Sequence, residues 1–219
     1  MKVTALIAAP LALLTLIGCS QSRKGGELRL KHEVTIETAA GPRTFHSVVS
    51  LDGFQSYNYH PGSSGWGGIS CRLTGDALRV PLGDHDFYFL LARPRHYTPA
   101  WTQIGLIKTH FGLPNFTADR SWIDQWKDLA ASDAAVDLLP EDFPAIAVMP
   151  RDGWMNDARP LSLEDAEALG LRIIRYRLQL TRDPVGSQES VQVRYRSSKE
   201  RNPRIEIGRE FFTEVNGTA

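Results

Sequence analysis

Cysteine is scarce in this chain: only Cys19 and Cys71 occur among 219 residues. No C-x-x-C pair, H-E-x-x-H or EF-hand spacing is present, so the ordinary zinc and calcium frameworks have no ligand set. Net charge is missing as well. Lys and Arg number 25 against 25 Asp and Glu, without the basic excess that marks a nucleic-acid-binding domain. The glycine motifs of nucleotide and acyl chemistry also fail. Gly62-Ser63-Ser64-Gly65 lacks the G-x-S-x-G spacing of a nucleophile elbow. Gly65-Trp66-Gly67-Gly68 has neither the Lys-Ser/Thr of a phosphate loop nor a following helix. No catalytic residue, metal ligand or cofactor is therefore expected. Repeats and low-complexity tracts are lacking too. What remains is an ordinary globular composition, 42% hydrophobic and 23% charged, in a chain long enough for one sizeable domain with a real core.

The N-terminus is the most specific feature. Lys2 precedes an apolar stretch from Val3 to Ile17, and Gly18 stands just before Cys19. The stretch is shorter than the roughly 20 residues a spanning helix needs, which is the pattern of a cleaved secretion signal. Leu16-Ile17-Gly18-Cys19 resembles the lipobox of bacterial lipoproteins. The resemblance implies cleavage after residue 18, acylation of Cys19, and attachment to the lipid bilayer through its acyl chains. Ser20 is not the aspartate that retains some lipoproteins at the inner membrane, so the resemblance points to the outer membrane, facing the periplasm, in a Gram-negative source. Residues 20–26 read as a flexible polar linker, residues 27–213 as one domain, and 214–219 as a tail. With Cys19 acylated, Cys71 stands alone and a disulfide framework is excluded despite the oxidising compartment.

Along the domain, apolar and polar residues alternate over 27–38, with Leu28, Leu30, Val34 and Ile36 on one side. His32 falls on that apolar side and reads as a satisfied core histidine. Gly41-Pro42 makes a turn into a strand at 45–51. Residues 53–68, rich in Gly, Ser, Tyr and Trp, read as a long loop. Further strands are expected at 69–73, 78–82 and, as a continuous apolar run, 87–91. Trp101 to His110 has no clean period, and another strand is the expectation there. Helices are expected at 119–130, where Trp122, Ile123, Trp126 and Leu129 form one stripe, and at 163–169, with Ser162 and Asp165 as a capping box and Gly170 as the stop. Strands follow at 143–149, 171–181 and 191–196, with a hint at Ile205 and Ile207. The total predicts an α+β fold, mainly antiparallel β, as a sandwich or an open barrel-like sheet with two short helices.

Two groups of segments, 44–51 with 73–83 and 87–91, and 143–148 with the helix through Gly170 and the strand from Leu171 to Val185, are similar to a family of uncharacterised proteobacterial proteins. No activity is attached to that family, so the resemblance implies a shared fold and transfers no site residue.

Three places are candidates for function. The loop at 53–68 carries Tyr57, Tyr59 and Trp66 among glycines and serines, a composition suited to recognition of a protein, peptide or glycan; the alternative is that its aromatics tuck back onto the sheet. The second place is a basic hairpin. Residues 119–167 hold twelve acidic residues against four basic, and residues 172–209 ten basic against four acidic. Alternation puts Arg175 and Arg177 opposite Ile174, Tyr176, Leu178 and Leu180. Arg194 and Arg196 oppose Val191, Val193 and Tyr195. If these strands pair, four arginines share a face, balanced either by the chain's own acids or by an anionic lipid. An envelope protein is the other partner considered. The third place, Asp84-His85-Asp86 with Cys71 or His60 nearby, is the basis of an alternative reading as a periplasmic hydrolase or metal-dependent enzyme. The leading expectation is a non-enzymatic, membrane-anchored binding or structural module.

Overall fold

Strand β1 (Gln21–Glu37) sends Leu28, Leu30, His32, Val34 and Ile36 inward and its charged residues outward, as the alternation requires. In this computed structural model the described residues are 21–58, 66–92, 99–115, 121–151, 158–187, 194–195 and 206–207. β1 pairs antiparallel with β2 (Arg43–Asn58) and, on its other side, with β9 (Arg172–Thr181). One edge of β2 carries β3 (Trp66–Thr74) and β10 (Gly186–Ser187), and the far edge of β9 carries β6 (Ala135–Asp137). The second sheet is β4 (Leu78–Leu82), β5 (His85–Phe89), β7 (Ile146–Pro150) and β8 (Arg159–Leu161), again antiparallel. A short parallel pair joins β11 (Arg194–Tyr195) to β12 (Glu206–Ile207).

The two main sheets share one core. Leu30, Val49 and Leu178 from the first pack in the same cluster as Val80, Phe87 and Val148 from the second. The fold is therefore α+β and mainly antiparallel, with open sheets and no closed barrel among the described residues. Phe87 and Phe89 face the shared core, while Tyr88 and Leu90 belong to a second buried cluster on the opposite face. A strand buried on both faces explains the unbroken apolar run at 87–91.

Among the described residues three α-helices are present where two were expected. α1 (Pro99–Phe111) replaces the strand expected at 101–110. Pro99 occupies its first turn, where a missing N–H costs nothing. Its buried stripe includes Thr102 and Gln103 beside Ile104, Leu106 and Ile107, and polar residues on a buried stripe blur the helical period. α2 (Ser121–Ala131) and α3 (Leu163–Ala168) lie where the periodicity put them. Ser162 Oγ accepts from Asp165 N–H at 3.0 Å, the N-cap half of the expected capping box, and donates to the Asp165 carboxylate at 2.6 Å. Among the described residues no helix is long and apolar enough to cross a membrane.

The first sheet reaches further than the sequence suggested. Gln21 to Gly26, read as linker, belong to β1 and pair with 53–57 of β2 across a bulge at Lys24–Gly26. Gly53 to Asn58 and Trp66 to Gly68, read as loop, are strand: Gly53 pairs with Cys71 and Asn58 with Trp66. The connection between β2 and β3 is thus confined to 59–65. Gly25 and Gly53 are seats for a tryptophan rather than turns. Trp126 of α2 is fully buried, and its indole N–H donates to Gly26 O at 3.0 Å. A Cβ on Gly25 would meet the Trp126 ring at 2.6 Å, and one on Gly53 at 2.8 Å.

Candidate functional site

At the opposite end of β1 three turns meet. The β1–β2 turn brings Glu37, Thr38 and Ala39. The β4–β5 turn brings Leu82, Gly83, Asp84 and His85. The junction of α3 and β9 brings Leu169, Gly170 and Arg172. They enclose an open cleft of about 560 Å³. Each wall has a local cause. Thr38 Oγ1 donates to Gly41 O at 2.6 Å and closes the first turn. Gly170, at φ +94°, adopts the left-handed conformation that ends α3 and releases the chain into β9. The rim carries an imidazole, two carboxylates and a guanidinium, with Glu37 and Arg172, register partners on β1 and β9, 3.7 Å apart. Such a rim suits a small polar or ionic ligand. Glu37 and Arg172 were not singled out in the sequence, because each reads as a solvated strand end until the turns are brought together.

Of the Asp84-His85-Asp86 run, only the first two residues line the cleft. Asp86 is buried, 2.6 Å from Arg79 Nη2 and 3.9 Å from Arg151 Nε, in an ion pair that ties the β4–β5 hairpin together. Cys71 lies in the other sheet, opposite Gly53. Burial, aided by the Asp52 carboxylate, pushes its thiol up to about 12, the reverse of what an attacking thiolate requires. Cys71 in the folded protein is therefore expected to resist iodoacetamide at pH 8 and to react on addition of urea, read by mass. His60 lies outside the described residues. Among the described residues no three His, Cys, Asp or Glu side chains converge on a metal-sized site.

The arginines are arranged differently from the hairpin expectation. β9 is flanked by β1 and β6, and the described residues Arg194 and Tyr195 pair instead with Glu206 and Ile207 in the parallel β11–β12 pair. Arg196 lies outside the described residues. A bulge in β9 also shifts the pattern: Thr35 pairs with Arg175 but Ile36 with Ile173, so Ile173 packs inward and Ile174 is left 55% exposed. The chain's own acids face the remaining arginines. Arg175 Nε donates to Asp137 Oδ1 at 2.8 Å, and Arg177 stands in register between Glu33 and Asp137. Lys31 adds contacts to Glu33 at 3.6 Å and Asp183 at 3.8 Å. This exposed face is a mixed-charge lattice, each pair worth little alone.

His32 is the buried histidine that the alternation implied. It is 1% exposed, with Nδ1 2.9 Å from the Tyr176 hydroxyl and Nε2 2.9 Å from Gln103 Oε1. Gln103 Nε2 donates to Leu91 O at 2.8 Å. A carbonyl can only accept, so the amide orientation is set, and with it the proton on His32 Nε2. Nδ1 then accepts from the Tyr176 hydroxyl. The chain of bonds ties β1, β9, α1 and the end of the β5 segment together. Burial pushes the His32 imidazole down to about 4, against a smaller opposing effect of the bond to Gln103, and raises the Tyr176 phenol. This is a structural network inside the core.

The aromatic candidates sit at the end opposite the cleft. Tyr57 pairs with Gln21 and Gly67, and Trp66 with Asn58. Tyr59 and Cys19 lie outside the described residues. No protein-family model, no curated protein and no solved structure matches this chain.

Proposed function

We propose that the protein is a lipid-anchored envelope protein, held in the outer membrane by an acylated Cys19 and acting in the periplasm as a non-enzymatic binding or structural module. The observation that carries this reading is the junction between motif and fold. The lipobox-like Leu16-Ile17-Gly18-Cys19 is followed by the first strand from Gln21 onward. Only Ser20 stands between the residue to be acylated and the sheet, a reach of at most about 7 Å. A protein built this way is carried at the bilayer surface rather than on a long tether. The cleft at the far end of β1 and the exposed sheet face are the surfaces it offers to a partner.

The alternative of a hydrolase or metal-dependent enzyme lacks comparable support. Its residues are divided between two sheets, its cysteine is held as a thiol, and Asp86 is engaged by arginine. The test of the anchor is Cys19→Ala in the native host. The variant is expected either to leave the membrane fraction or to accumulate unprocessed at higher mass. Unchanged fractionation with unchanged mobility would refute the anchor.

A further inference from the structure

We propose that the end of the larger sheet formed by the start of β1, the end of β2 and the start of β3 rests on the bilayer that holds Cys19, with its aromatic and basic residues in an anionic headgroup region. The inference rests on the anchor reading and adds an orientation to it.

Strand direction supplies the geometry. β1 runs away from this end, β2 runs toward it, and β3 runs away again. Gln21 is level with Tyr57 and Gly67, and Asn58 pairs with Trp66 one step further out. The chain toward Cys19 and the β2–β3 connection therefore leave the sheet on the same side. With Cys19 in the interface, Gln21 lies within about 7 Å of it. The neighbouring strand ends at Tyr57, Asn58 and Trp66 are brought to the same surface.

Composition at this end fits that surface. Residues 21–24, 54–58 and 66–70 contain no acid, two bases (Arg23 and Lys24) and three aromatics (Phe54, Tyr57 and Trp66). The first carboxylates, Glu27 and Asp52, stand one row further back, in register with Arg72. The rest of the sheet mixes both signs, so the acid-free end is a local property. Lys24 is exposed, and Arg23 and Phe54 are half-buried. Tyr57 is in register with Gln21 and Gly67, and Trp66 with Asn58. Trp and Tyr favour the depth of the headgroups, and each basic residue near an anionic surface shifts the balance toward it by roughly fivefold. One consequence follows for the cleft. β1 has 17 residues, so at about 3.3 Å per residue its far end reaches at most roughly 50 Å from the bilayer. The Glu37–Arg172 rim is held out toward the periplasm.

The test uses the full lipidated protein, purified from membranes and reconstituted into vesicles of phosphatidylcholine with phosphatidylglycerol, with and without brominated acyl chains. Flotation reads the anchor, and tryptophan quenching reads the orientation. The emission difference between the wild type and Trp66→Phe isolates Trp66 from the other tryptophans. The expected result is flotation with loss of most of that difference in brominated vesicles. A combined Arg23→Gln and Lys24→Gln variant should float equally but recover much of the difference as docking weakens. Flotation with full Trp66 emission in brominated vesicles would overturn the orientation and leave the anchor standing. Failure to float would overturn the anchor reading itself.

Discussion

Trp126→Ala is expected to lower the unfolding free energy by about 3–5 kcal/mol, measured as a fall in the urea midpoint with little change in slope. Trp126 is fully buried between α2 and the bulged start of β1. It packs 5.2 Å from the Trp122 ring, and its N–H satisfies Gly26 O. Removing it leaves a cavity against two glycines that have no side chains to fill it. The same geometry predicts which compensations work. A Cβ on Gly53 would meet Cε2 at 2.8 Å, Cζ2 at 3.0 Å and Cδ2 at 3.1 Å, the closest two on the fused side of the indole that a phenyl ring fills less fully, whereas a Cβ on Gly25 would meet Cδ1 and Cγ, atoms a phenyl ring keeps. Gly53→Ala alone should cost about 1–3 kcal/mol by overpacking. In the Trp126→Phe background that cost should fall, while Gly25→Ala should remain costly in both backgrounds. A double-mutant cycle with no coupling between 53 and 126 would contradict this account of the seat.

The second large effect is a dependence of stability on pH. The His32 imidazole titrates near 4 when folded and near 6.5 in an unfolded chain. Between these values the unfolded state binds a proton that the folded state refuses. The stability of the neutral, bonded imidazole is therefore fully present above about pH 6.5 and is lost progressively as pH falls toward 4. A shift of this size corresponds to about 3 kcal/mol. The measurement is the urea midpoint from pH 7 to 4.5 for the wild type and for His32→Gln. Glutamine offers an oxygen to the Tyr176 hydroxyl and an N–H to Gln103 Oε1, yet has no proton to gain. It is expected to be less stable at pH 7, because its shape differs, and to lose about 2–3 kcal/mol less on acidification. Parallel pH profiles for the two proteins would remove His32 as the source.

Much of the domain was legible because local pattern and burial agree in it. The alternation at 27–38, the apolar run at 87–91, the tryptophan stripe of α2 and the Ser162–Asp165 cap each encode their own environment within a few residues. What was misread has identifiable causes. Thr102 and Gln103 lie on the buried stripe of α1, so hydrophobicity alone hides its period. Gly25, Gly26 and Gly53 read as linker and loop in the sequence because glycine ordinarily marks a turn. Here Gly25 and Gly53 make room for the side chain of Trp126, 101 and 73 positions further along the chain. The bulge at Ile174 reverses the alternation for one residue, and no periodic count anticipates it. Strand order is the deepest gap. Nothing near Arg175 announces that β1 and β6 flank β9 and that Asp137 reaches its guanidinium. The cleft is assembled from residues 37–39, 82–85 and 169–172, each an unremarkable turn by itself. Its existence depends on topology, which single-segment patterns do not carry.

The claim on which the rest depends is that Cys19 is the acylated first residue of the mature protein, with the sheet starting almost at once. The most direct test is the mass of the N-terminal peptide of the protein extracted from its native membranes. The account predicts a peptide beginning at Cys19 and carrying a diacylglyceryl thioether. A peptide that begins elsewhere, or a Cys19 whose thiol is free, would contradict it.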